Sequence, residues 1–117
     1  MEYEYAVTNG DLDVDSIAGR RKRRRVLSMS VRRIALLAPA TEKYQAELNS
    51  NSIRNVIDAS ISPKSEGLWF ARYEDDAGVD TLLLFNPNEK VLRALVRVIP
   101  NNAKDVPPEL LTRGDEY

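Results

Sequence analysis

Residues 2–15 read EYEYAVTNGDLDVD, and the fold turns on how they are interpreted. Tyr3, Tyr5 and Val7 alternate with Glu2, Glu4 and Ala6, then Asn9-Gly10 intervenes, and Leu12 and Val14 alternate with Asp11, Asp13 and Asp15. Two period-2 runs separated by Asn-Gly predict a β-hairpin, because both central residues of a type I′ turn need positive φ. With a two-residue loop, Val7 faces Leu12 and Tyr5 faces Val14, so apolar side chains meet on one face. The same register sets Glu4 opposite Asp15, a like-charge pair that costs stability unless cations reach it.

Downstream, Arg20-Arg21-Lys22-Arg23-Arg24-Arg25 supplies those cations and runs into Leu27, Met29 and Val31, again at period 2. Residues 1–19 carry five acids and no bases, and residues 20–33 carry eight bases and no acids. A third strand beside the second therefore lets alternate basic side chains neutralise the acidic face. Ile34–Ala38, ending at Pro39, predicts a fourth strand. Thr41 is a candidate N-cap for a short helix over 42–49. Ile57, Ala59 and Ile61 mark a fifth strand, and Leu68–Tyr73 and Val79–Phe85 a closing hairpin whose near-continuous apolar character predicts burial on both faces. Asn86 as N-cap, Pro87 at the first helical position and Glu89 three residues after the cap predict a helix, with Val91, Leu92, Leu95, Val98 and Ile99 on its apolar face and Lys90, Arg93 and Arg97 opposite.

Seven strands with an insertion after the fourth, then one C-terminal amphipathic helix, is the order of a pleckstrin-homology-like α+β domain, a bent antiparallel sheet or barrel plugged by its last helix. An open antiparallel sheet with helices on one face has the same order of elements. The expected layout is one domain over residues 1–100 and a polar tail over 101–117, with one helical turn near Glu109–Leu111.

From Tyr3 to about Pro100, including Val26-Leu27-Ser28, Ile57-Asp58-Ala59-Ser60 and Glu66 through Trp69-Phe70-Ala71, the chain resembles a clostridial-type bacterial family of unknown function. The resemblance implies a cytoplasmic domain of a membrane-anchored protein, with hydrophobic spans just upstream of the tyrosine-rich strand; this chain then corresponds to the soluble part. It implies no activity and no site residues.

The 117 residues carry 43% hydrophobic and 30% charged side chains, ordinary values for a packed domain. No cysteine and no histidine occur, which removes disulfides, thiol catalysis, histidine triads and the commonest zinc ligand. No apolar run approaches the ~20 residues a membrane-crossing helix needs. Asp11-x-Asp13-x-Asp15 opens like a calcium loop, but Ser16 and Lys22 stand where glycine and a bidentate glutamate are required. Glu74-Asp75-Asp76 reads as solvated turn acids, and Trp69 as core. We therefore expect no enzyme, no cofactor and no metal. The net charge of −1 offers no general attraction to nucleic acid. The expected role is a binding or scaffold module on the cytoplasmic side of a bacterial membrane, meeting a protein partner or, through Arg20, Arg21, Lys22, Arg23, Arg24 and Arg25, an anionic lipid surface. The alternative is a structural self-association domain that orients an upstream anchor.

Overall fold

The computed structural model describes residues 2–19, 22–61 and 67–111. The first hairpin forms as its turn chemistry dictates. Strand β1 (Glu2–Thr8) pairs antiparallel with β2 (Asp11–Ala18), placing Val7 opposite Leu12, Tyr5 opposite Val14 and Glu4 opposite Asp15. Asn9 and Gly10 both take positive φ, 52° and 83°, as a type I′ turn requires. β3 (Lys22–Ser30) pairs antiparallel with β2 and completes a three-stranded sheet in the order β1-β2-β3.

The remaining strands are β4 (Ile34–Pro39), β5 (Asn55–Ala59), β6 (Trp69–Glu74) and β7 (Asp80–Phe85). They form a second sheet in the order β4-β6-β7-β5. The seven expected strands thus divide between two hydrogen-bonded sheets, and one pairing departs from the antiparallel expectation: β5 runs parallel to β7. β6 occupies one edge of β7, so β5 pairs along the other, and it does so parallel.

Helix α2 (Glu89–Val98) lays Val91, Leu92, Leu95 and Val96 into the core, with Ile99 just beyond it. Each such side chain removed from water contributes about 1.5–3 kcal/mol. Val96 takes the buried place expected for Val98, which is only partly covered. The expected cap is also corrected by two residues: Asn88 is the N-cap, its Oδ1 accepting from the Val91 amide at 2.8 Å. Asn86 is occupied elsewhere, its Oδ1 accepting from the Ile61 amide at 2.8 Å.

The main core lies between the two sheets and α2. Leu12, Val14 and Met29 meet Ile34, Leu37, Trp69, Ala71, Leu83 and Phe85 there. Trp69 is buried, as expected. β6 and β7 are buried on both faces, the inner one looking into the main core. On the outer face, Phe70, Leu82 and Ala38 are covered by the insertion, a 3-10 turn at Glu42–Tyr44 and α1 (Gln45–Leu48), through Tyr44, Leu48 and Ile53.

Residues 101–111, expected as part of a polar tail, are tied to the domain. The Leu37 amide donates to the Asn102 carbonyl at 2.9 Å, and the Lys104 amide donates to the Leu37 carbonyl at 2.8 Å. Helix α3 (Pro108–Leu111) buries Leu110 in the main core. Ala103 and Val106 pack against the same core, so apolar contacts and the two main-chain bonds to Leu37 together dock the segment.

Candidate functional site

The basic run lies on the β2–β3 hairpin, where a one-residue bulge decides which bases face the acids. Leu27 pairs with Val14 but Arg25 pairs with Asp15, leaving Val26 as the extra residue. The bulge moves Arg23 and Arg25 onto the same face as Glu4, Asp13 and Asp15. Arg23 pairs with Glu4 and, at 3.3 Å, with Asp15; Arg25 reaches Asp15 at 2.5 Å and Asp13 at 3.4 Å. The Arg25 guanidinium, with Arg23 beside it, holds the Asp15 carboxyl below its ordinary range. Ser28 Oγ donates to Asp13 at 2.6 Å. The like-charge pair in the first hairpin is thereby neutralised by the strand that follows it.

Lys22 and Arg24 project from the other row, exposed and without an ion pair among the described residues. Arg20 and Arg21, also candidates for an anionic surface, lie outside the described residues. Of the six expected contact residues, the structure brings two into acid pairs and leaves two facing solvent on the opposite row.

A second feature has no charge run to announce it. β1 is an edge strand, and in a two-residue hairpin the hydrogen-bonded pairs alternate from Thr8–Asp11 through Ala6–Asp13 to Glu4–Asp15. The N–H and C=O groups of Tyr3, Tyr5 and Val7 therefore point away from β2, and no main-chain group among the described residues pairs with them. A groove of about 440 Å³ follows this edge, lined by Tyr3, Tyr5, Ala6, Ile61, Asn86 and Val91 among others. Ile61 is 76% exposed. The alternation places Ile61 in the fifth strand, but β5 ends at Ala59 and the Asn86 side chain takes the Ile61 amide out of the ladder.

Tyr5 positions this edge against the second sheet. Its hydroxyl donates to the Ala59 carbonyl at 2.6 Å and accepts from the Asn86 amide at 3.1 Å, while its ring meets Phe85 edge-to-face at 5.5 Å. Burial pushes the hydroxyl pKa up. The alternation of β1 gives no sign of this, since the partners of Tyr5 lie 54 and 81 residues away.

The other charged groups are tied into structure. Arg72, on the outer face of the second sheet, binds Asp80 at 2.7 Å, Glu47 at 3.1 Å, Ser50 at 3.1 Å and Ser52 at 2.5 Å. Those bonds pin the insertion over Phe70. Asp75 Oδ1 accepts from the Ala77 and Val79 amides, and Asp76 pairs with Arg33 at 3.0 Å, so the expected turn acids serve the β6–β7 turn. Among the described residues, no group of three or more His, Cys, Asp or Glu side chains is placed to hold a metal ion, and no helix is long and apolar enough to cross a membrane.

Among the described residues, seven strands in two sheets and a few short helices make a mixed α+β domain consistent with a PH-like fold. The sequence profile of the bacterial PH-like domain family DUF6106 matches residues 1–105, and the chain belongs to that family. No curated protein and no solved structure matches it.

Proposed function

We propose that this domain is a non-catalytic binding module that takes an extended protein segment onto the open edge of β1. A PH-like domain fits a binding or scaffold role. The observation that carries the particular reading is the edge itself. Three outward N–H and C=O pairs, at Tyr3, Tyr5 and Val7, border a groove with apolar side chains on one flank and paired charges on the other. An added strand gains affinity from main-chain hydrogen bonds and selectivity from alternate side chains in such a groove.

Selection of binders from a random peptide display library tests this reading. Tyr3→Pro removes an outward donor without touching the β1–β2 ladder, whereas Tyr3→Val keeps it. Selected peptides should bind Tyr3→Pro about two- to tenfold more weakly and Tyr3→Val near normally, since each main-chain bond is worth about 0.5–1.5 kcal/mol. Equal binding to both variants overturns the reading.

A second reading, contact with an anionic bilayer, is favoured by Lys22 and Arg24, which lack acidic partners among the described residues. A setting at the cytoplasmic face of a bacterial membrane, as the family resemblance implies, would bring this row beside anionic lipid at about 1 kcal/mol per base. Co-sedimentation with phosphatidylcholine vesicles with and without phosphatidylserine checks it. Binding should require the anionic lipid and fall about fivefold for each of Lys22→Ala and Arg24→Ala; equal binding to both vesicle types excludes it.

A further inference from the structure

The partner strand is a second copy of the same strand: we infer that two copies of this chain join β1 to β1 antiparallel about a two-fold axis at Tyr5, making one continuous six-stranded sheet. This rests on the edge-binding reading above and names its occupant. The outward groups lie on odd-numbered residues, so a second β1 must set odd residues opposite odd ones. That condition leaves few registers. An axis at Tyr3 sets Glu2 against Glu4, and an axis at Glu4 sets Glu4 against itself, both opposing carboxylates. An axis at Ala6 leaves Glu2 and Tyr3 beyond the strand pairing, and one at Val7 pairs fewer residues still.

The axis at Tyr5 pairs all of Glu2–Thr8. Tyr5 meets Tyr5 and Tyr3 meets Val7, three pairs that each exchange two main-chain hydrogen bonds. Glu4 then faces Ala6 and Glu2 faces Thr8, so no carboxylate opposes another. Glu4 is also already paired with Arg23 of its own chain. Ala6, the smallest side chain of β1, gives Glu4 room on that face. Ile61 lines the same edge groove, and a second copy covers it. An isologous contact of this kind closes on itself and does not propagate into a fibre.

The absence of cysteine makes the register testable by cross-linking. Glu4 and Ala6 of opposite copies form a non-hydrogen-bonded pair, with Cα atoms about 4.5 Å apart, inside disulfide range. Glu4→Cys/Ala6→Cys should give a covalent dimer under mild oxidation, while Glu4→Cys alone and Ala6→Cys alone should not. Sedimentation velocity should show a concentration-dependent dimer for the wild type and Tyr3→Val, and a dissociation constant raised about tenfold or more for Tyr3→Pro. A wild type that stays monomeric to about 100 µM overturns the inference, as does cross-linking of either single variant as readily as the double. If that monomer still binds displayed peptides in a Tyr3→Pro-sensitive way, only the identity of the partner fails. A dimer that survives Tyr3→Pro overturns the inference, while the edge-binding reading falls only if displayed peptides bind Tyr3→Pro as tightly as Tyr3→Val.

Discussion

Asp80 shows how one side chain in this fold acquires its properties. Arg72 first, and Ser52 second, hold its carboxyl down at about 2, against an ordinary value of 3.8. A carboxylate whose pKa is lowered by folding contributes stability that is present above 3.8 and is lost as pH falls through about 2. Asp80→Asn should therefore lower the melting temperature at neutral pH, with the deficit shrinking as the pH is taken down through that window. Thermal melts followed by circular dichroism from about pH 6 to pH 2 check this, and a constant deficit contradicts it. The sequence shows Arg72 and Asp80 as charges inside otherwise apolar strands, which is a signal, but not that Glu47, Ser50 and Ser52 converge on them from the insertion.

At the scale of elements, the start of α2 separates two neighbouring asparagines. Asn86 and Asn88 both precede an apolar stripe, and sequence rules favour Asn86 because Pro87 then takes the first helical position. In the fold, Asn86 faces Ile61 at the end of β5, so the cap passes to Asn88. Asn88→Ala should cost about 1 kcal/mol and speed hydrogen exchange at the Val91 amide, and Asn86→Ala should leave that amide protected. Faster exchange at Val91 in Asn86→Ala alone would reverse the assignment. The first hairpin, by contrast, was legible down to its register, because Asn9-Gly10 and the alternation around it act within a few residues. The β2–β3 pairing was legible as an acid-neutralising ladder, but not the bulge at Val26 that selects Arg23 and Arg25 over Lys22 and Arg24. A shift of one residue exchanges the two faces of a strand, and nothing local to the basic run sets that shift.

For the molecule as a whole, the junction of the two sheets at Tyr5 governs both cohesion and the shape of the proposed binding edge. Tyr5→Phe keeps the ring against Phe85 but leaves the Ala59 carbonyl and the Asn86 amide without their shared partner. The expected cost is about 1–3 kcal/mol. It should appear as a lower urea midpoint at unchanged m, because the surface exposed on unfolding stays the same. An unchanged midpoint would mean that water replaces the hydroxyl without loss. The sequence by itself determined the seven strands, the register of the first hairpin, the stripe of α2 and the burial of Trp69, since period and turn chemistry are properties of short segments. Only the tertiary structure decided that the strands form two sheets, that β5 lies parallel to β7, that the insertion covers Phe70, that residues 101–111 dock, and that among the described residues no strand pairs with the outer edge of β1. Those outcomes depend on which distant segment packs best against a given edge or face, a balance of long-range contacts that no single stretch of chain encodes.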